Sequence, residues 1–164
     1  MDRWQRSLTE ACRRATPDML TYGPAEGSFS LREEIARLVL STRSIPAVPQ
    51  QIVITTGATQ ALDILARPCL SKCEQVLVED PTQNVLREIF RFSGVEVIPV
   101  RVDQEGICVH EIDQSIAMNS KKTVISPKLL YLTPSHRFPT GVTMSLNRRI
   151  ELLEWSRKTG ALII

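Results

Sequence analysis

"VLVEDPTQNVLREIFRFSGVEVIPVRVDQEGI", residues 76–107, decides the fold. Val76-Leu77-Val78 is an apolar run of strand length that ends in Glu79-Asp80-Pro81. Residues 83–92 then have helical spacing, Gly94 turns the chain, and Val95 to Val100 reads as a second strand. The same rhythm continues on both sides. Leu31, Ile35, Leu38 and Val39 mark one face of a helix, with Ser28 or Ser30 as its cap. Ser30 and Glu33 have the spacing of a capping box. Ile52-Val53-Ile54 reads as a strand broken by Thr55-Thr56-Gly57, and Ala58 to Ala66 as a helix stopped by Pro68. Further on, 110–118 is a weaker helix and Leu129 to Leu132 a strand. A helix over 145–158 starts at Ser145, and Ala161 to Ile164 forms a last strand. Short apolar strands alternating with helices predict an α/β fold, a mostly parallel sheet with helices on both faces and right-handed crossovers.

Composition narrows the function classes. The 164 residues are 43% apolar and 23% charged, with a net charge of +2, an ordinary globular balance. That charge is too small to point to nucleic acid or an anionic membrane. No apolar run approaches the roughly 20 residues of a membrane span, and the first fifteen residues lack a secretory apolar stretch. The expectation is a cytoplasmic protein without a membrane partner. Cys12, Cys69, Cys73 and Cys108 lack zinc-site spacing and are expected to be unpaired thiols, so no metal site is expected.

Ligands of open α/β sheets bind beyond the carboxyl ends of the strands. Three loops leave such ends: Thr55 to Gln60, Glu79 to Gln83, and Thr133 to Gly141. In the first, Gly57 frees the turn and the amides of Ala58 and Thr59 open a helix, with the Thr59 hydroxyl beside them. That is a small phosphate cup, although an ordinary capped turn has the same sequence. The third loop is stiffened by Pro134 and Pro139 and closes on Thr140-Gly141.

Four stretches carry a resemblance when taken together: "YGPAEGSFSLREEIA" (22–36), "QIVITTGATQALDILA" (51–66), residues 76–107 above, and "LLYLTPSHRFPTGVTMSLNRRIELLEWSRKTGALII" (129–164). In this order and spacing the chain resembles the pyridoxal-phosphate-dependent aminotransferases of class I/II, fold type I. It is most similar to the aminotransferase-like domain of MocR-type transcription regulators, whose pattern TPSHQ[FY]PTG is nearly reproduced by Thr133 to Gly141. The resemblance implies pyridoxal 5'-phosphate as cofactor, with Gly57, Ala58 and Thr59 at its phosphate. It implies that Tyr22 reaches that phosphate from the partner subunit of a homodimer. It places Gln83 where relatives stack an aromatic residue on the pyridine ring, and Phe138 where ordinary aminotransferases have an asparagine. Arg137 stands in place of the regulators' glutamine and is expected to be solvated.

The resemblance also sets expectations of absence. Relatives place a ring-pairing aspartate, a tyrosine and the Schiff-base lysine after the strand matching Ala161 to Ile164. None of Lys72, Lys121, Lys122, Lys128 and Lys158 occupies the lysine's position. The chain is therefore expected to be part of a large domain, 22–164 behind an N-terminal helical segment 1–21, with no catalytic residue and no activity alone. A small amino or keto acid is the implied ligand of the parent protein, and nucleic acid only through a missing upstream domain. Two alternatives stand beside the regulator: part of a working amino-acid transaminase, and a truncated product without function of its own.

Overall fold

The computed structural model describes residues 2–70, 75–119 and 127–164. These form two compact units, residues 1–55 and 56–164.

The first unit holds helices α1 (Asp2–Arg14) and α2 (Phe29–Arg43) and two short 3-10 turns, Pro17–Leu20 and Pro49–Gln51. Ser28 stands at the N-cap of α2, but its hydroxyl makes no cap bond and lies 3.0 Å from that of Ser30. The expected capping box is thus not formed. Only Arg32 and Ala36 of α2 are buried. The Arg32 guanidinium donates to the carbonyls of Gly27 (3.2 Å) and Pro49 (3.0 Å), tying both ends of the unit to the helix. Residues 52–54 are not a strand, contrary to the sequence reading. Ile54 donates to the Glu26 carbonyl at 2.9 Å, and this one bond makes no ladder. β-Branched residues become a strand only when a neighbour accepts their backbone groups.

The second unit is the α/β body. Its elements are α3 (Ala58–Cys69), β1 (Gln75–Asp80), α4 (Asn84–Phe92), β2 (Glu96–Asp103), β3 (Gly106–Ile107), α5 (Ile112–Asn119), β4 (Leu129–Tyr131), α6 (Leu146–Thr159) and β5 (Leu162–Ile163). Among the described residues the sheet order is β3-β2-β1-β4-β5, parallel except for the β2–β3 hairpin. α3 runs through Pro68 to Cys69, past the expected stop. α6 begins as read: the Ser145 hydroxyl accepts from the Arg148 amide at 3.3 Å.

Side chains alternate across the sheet. Val76, Val78 and Leu129 pack with Leu62, Ala66, Leu86 and Phe90 of α3 and α4 on one face. Leu77, Ile98, Val100 and Leu130 pack with Ile112 of α5 and Leu152 of α6 on the other. A strand whose successive residues are all buried needs both faces covered, which is why residues 76–78 are apolar without alternation. From β1 the chain crosses over α4 to β2 on one side, and later over α5 to β4 on the opposite side. The carboxyl ends of β1 and β4 are therefore the topological switch point, where open α/β sheets have their ligand crevice.

Candidate functional site

Two loops leave the switch point, Pro81 to Gln83 after β1 and Leu132 to Ser145 after β4. Each contains a cis peptide bond, Asp80-Pro81 and Phe138-Pro139. Arg137 is not solvated, contrary to expectation: it is the largest fully buried side chain among the described residues, 1% exposed, beside Glu79, also 1% exposed. Arg137 Nε lies 2.9 Å from Glu79 Oε2. Nη1 donates to Thr140 Oγ1 at 3.3 Å, and Nη2 donates to the Pro81 carbonyl of the loop after β1. Glu79 Oε2 also accepts from the Thr133 amide at 2.9 Å. Burial pushes the Glu79 carboxyl above its ordinary value, against the Thr133 amide and Arg137, which pull it down.

The outer half of the longer loop has its own pins. Arg149 of α6 donates to the carbonyls of Met144 (3.2 Å) and Pro134 (3.0 Å), and the Met144 amide donates back to the Pro134 carbonyl at 2.9 Å. The stiff Pro134–Gly141 segment is thus held from inside by one arginine and from the helix by another. Phe138, next to Arg137, is left 62% exposed. Gln83 is exposed at the N-cap of α4 without a side-chain cap bond.

The start of α3 has the geometry of an anion cup. Gly57 is the N-cap with φ 140°, a conformation that L side chains rarely adopt, and a Cβ there would point into open space. The first intrahelical bond is Ala61 to the Gly57 carbonyl at 3.2 Å, so the amides of Ala58 and Thr59 precede the ladder. Gln60 reaches back, its Oε1 accepting from the Thr56 amide at 2.6 Å and the Thr56 hydroxyl at 3.0 Å. The sequence reading missed this brace, which the Thr56–Gln60 spacing could have signalled. Gly57 and Thr59 open on a groove of about 420 Å³ completed by Thr56, Gln60, Asp63, Ile89 and Phe92. Ala58 is exposed at its side, and the groove's lining includes neither Gln83 nor Phe138. Tyr22, in the first unit, is fully exposed.

A second polar cluster closes the β2–β3 hairpin onto α6. Arg148 donates to the Ile107 carbonyl at 2.6 Å and to Asp103 Oδ2 at 3.1 Å, and Cys108 Sγ donates to the same oxygen at 3.3 Å. Burial pushes the Asp103 carboxyl up, but bonds from the Glu105 amide, Arg148 and Cys108 outweigh it and hold it below its ordinary value. Burial and Asp103 push the Cys108 thiol up, away from a reactive thiolate. Cys12 is an exposed free thiol, while Cys73, Lys72, Lys121 and Lys122 lie outside the described residues. Lys128 and Lys158 are exposed. Among the described residues no three His, Cys, Asp or Glu side chains gather as a metal site, and no helix is long and apolar enough to cross a membrane.

The family model for aminotransferase class I and II matches residues 2–164. The HTH-type transcriptional regulator YdeL of Bacillus subtilis is 32% identical over 98% of this chain and 32% of its own length. The probable rhizopine catabolism regulatory protein MocR of Rhizobium meliloti is 26% identical over 98% of this chain and 31% of its own. The crystal structure of a Pyrococcus horikoshii kynurenine aminotransferase in complex with PMP superposes with a TM-score of 0.82 at 29% identity, over 97% of this chain and 39% of that one. This chain thus spans about a third of the length of the curated relatives it matches. It belongs to the class I and II aminotransferase family, with the fold type I architecture, and regulators of the MocR type are among its relatives.

Proposed function

We propose that this member of the family is a pyridoxal 5'-phosphate-binding domain of the kind that serves as the effector-sensing part of a MocR-type regulator. The supporting observation is the start of α3: a glycine at φ 140°, two amides ahead of the helical ladder and a braced turn, opening on a groove. These features suit a phosphate, because unpaired amides and the helix dipole both favour an anion. Gly57, Ala58 and Thr59 would hold the phosphate, and Tyr22 of the partner subunit would reach it in a homodimer. Gln83 and Phe138 would stand on the two loops that flank the ring. When bound, the cofactor supplies an electron sink for chemistry at the α-carbon of an amino compound. The chain's own groups bind and orient it, and a small amino or keto acid is the ligand sensed beside it. The setting is cytoplasmic, with DNA contacted through a separate upstream segment.

The regulator reading draws on relatives such as YdeL, 32% identical over 98% of this chain, while an archaeal alanine:glyoxylate aminotransferase, 34% identical over 94% of it, makes a transaminase the second reading. A basic winged helix encoded upstream of Met1 would support it, and an aminotransferase arm there would support a transaminase. The cofactor assignment is tested with pyridoxamine 5'-phosphate, which forms no Schiff base with surface lysines. An exposed helix N-terminus contributes only roughly 0.3–1 kcal/mol per charge, so binding no tighter than about 1 mM, or about −4.1 kcal/mol, is expected. Gly57→Val should abolish it by straining the turn. Equal affinity of wild type and variant would reduce the loop to an ordinary turn.

A further inference from the structure

The Arg137–Glu79 pair joins the two loops that leave the switch point. Arg137 belongs to the loop after β4, Glu79 is the penultimate residue of β1, and the Pro81 carbonyl belongs to the loop after β1. One guanidinium therefore joins three stretches. Its neighbour in sequence is the exposed Phe138, and two residues beyond Pro81 stands the exposed Gln83.

A solvated arginine would leave these loops free to move apart. A fully buried one cannot leave without stranding a buried carboxylate, so its contacts fix the spacing of the two loops. Thr133, just past β4, bonds Glu79, and Thr140, within the same loop, accepts from Arg137, so the hold extends from Thr133 to Thr140. Glu79 Oε1 is buried without a partner among the described residues, so the carboxylate relies on its other oxygen for all its contacts.

We propose that Arg137 is a positioning residue that, through Glu79 and the Pro81 carbonyl, sets the spacing of the Gln83 and Phe138 loops. It thereby determines how well a ring-bearing phosphate is accepted over a plain phosphate. This rests on the cofactor reading above, in which the ring lies between those loops. The phosphate cup at Gly57 to Thr59 belongs to a different turn and has no contact with Arg137 among its bonds.

The test compares pyridoxamine 5'-phosphate with inorganic phosphate, by calorimetry or ligand-observed magnetic resonance, on the full chain. Wild type is expected to favour the ring-bearing ligand, and Arg137→Met to lose about tenfold of that preference while phosphate affinity changes less than twofold. A uniform loss of both affinities in a folded variant, or an unchanged preference, overturns the proposal. Should Arg137→Met fail to fold, Glu79→Gln serves in its place, with the same pattern expected at smaller size. The double variant Glu79→Gln/Arg137→Gln, a neutral hydrogen-bonding pair, should restore the preference in part; no recovery counts against the proposal. If wild type shows no preference at all, the cofactor reading fails. The clamp is then judged by amide exchange at Thr133 and Gly141: faster exchange in the variant supports it and unchanged exchange overturns it.

Discussion

Phe90 and Leu38 both lie on the apolar stripe of a helix, yet Phe90 is completely buried and Leu38 is 57% exposed. Phe90 is on α4, which covers a sheet face together with α3. Leu38 is on α2, in a unit where only Arg32 and Ala36 are buried among the described residues. The difference teaches that amphipathic spacing specifies a face and not what covers it. In the second unit the cover is the unit's own sheet. In the first, Leu31, Leu38, Leu40 and Ile45 are exposed, a face that a second copy of the chain would cover if the proposed homodimer forms.

The comparison breaks most plainly at Phe90. Phe90→Ala should destabilise the second unit by about 3–5 kcal/mol in urea denaturation, as large-to-small changes in close-packed cores do. A loss below about 1 kcal/mol would mean that the core collapses around the gap and that the two units differ less than their burial suggests.

The first unit has one tight place of its own. A Cβ on Gly27, at φ 93°, would meet Ile54 side-chain atoms at 2.6 Å. Gly27→Ala should therefore cost about 1–3 kcal/mol, read as faster exchange of the Ile54 amide, which bonds Glu26 at 2.9 Å. Unchanged exchange would show that the unit is already loose there.

A smaller effect follows from Glu79. Its folded value is raised above the ordinary 4.5, so the folded state holds the proton more tightly than the unfolded one. The stability it contributes is fully present below its unfolded value and is lost as pH rises through the folded value. The slope is at most about 1.4 kcal/mol per pH unit. Glu79→Gln should flatten that slope in a series of denaturation curves. Asp103, held low, has the opposite sign: its contribution is present above its unfolded value and is lost as pH falls through its folded one.

The smallest effect sharpens the comparison from the other side. Leu38→Ala should change stability by less than about 0.5 kcal/mol in dilute solution, as exposed substitutions do. Its cost should grow with protein concentration if a second copy covers α2, by mass action. A cost independent of concentration would remove the homodimer as the cover.

The sequence by itself determined the alternation of strands and helices, because a fully apolar triplet such as Val76 to Val78 needs cover on both faces. It also determined the glycine turn before α3 and the serine start of α6, since a conformation near φ 140° selects Gly57 and an orphan amide selects Ser145. These are local demands, met by neighbours in the chain. Tertiary structure alone decided that Ile52 to Ile54 takes no ladder and that Arg137 is buried. An arginine in a polar loop is solvated unless an acceptor from elsewhere repays its desolvation, and Glu79 lies in β1, with α4, β2, β3 and α5 between it and β4 in the chain. Only the parallel pairing of β1 with β4 brings that carboxylate beside it.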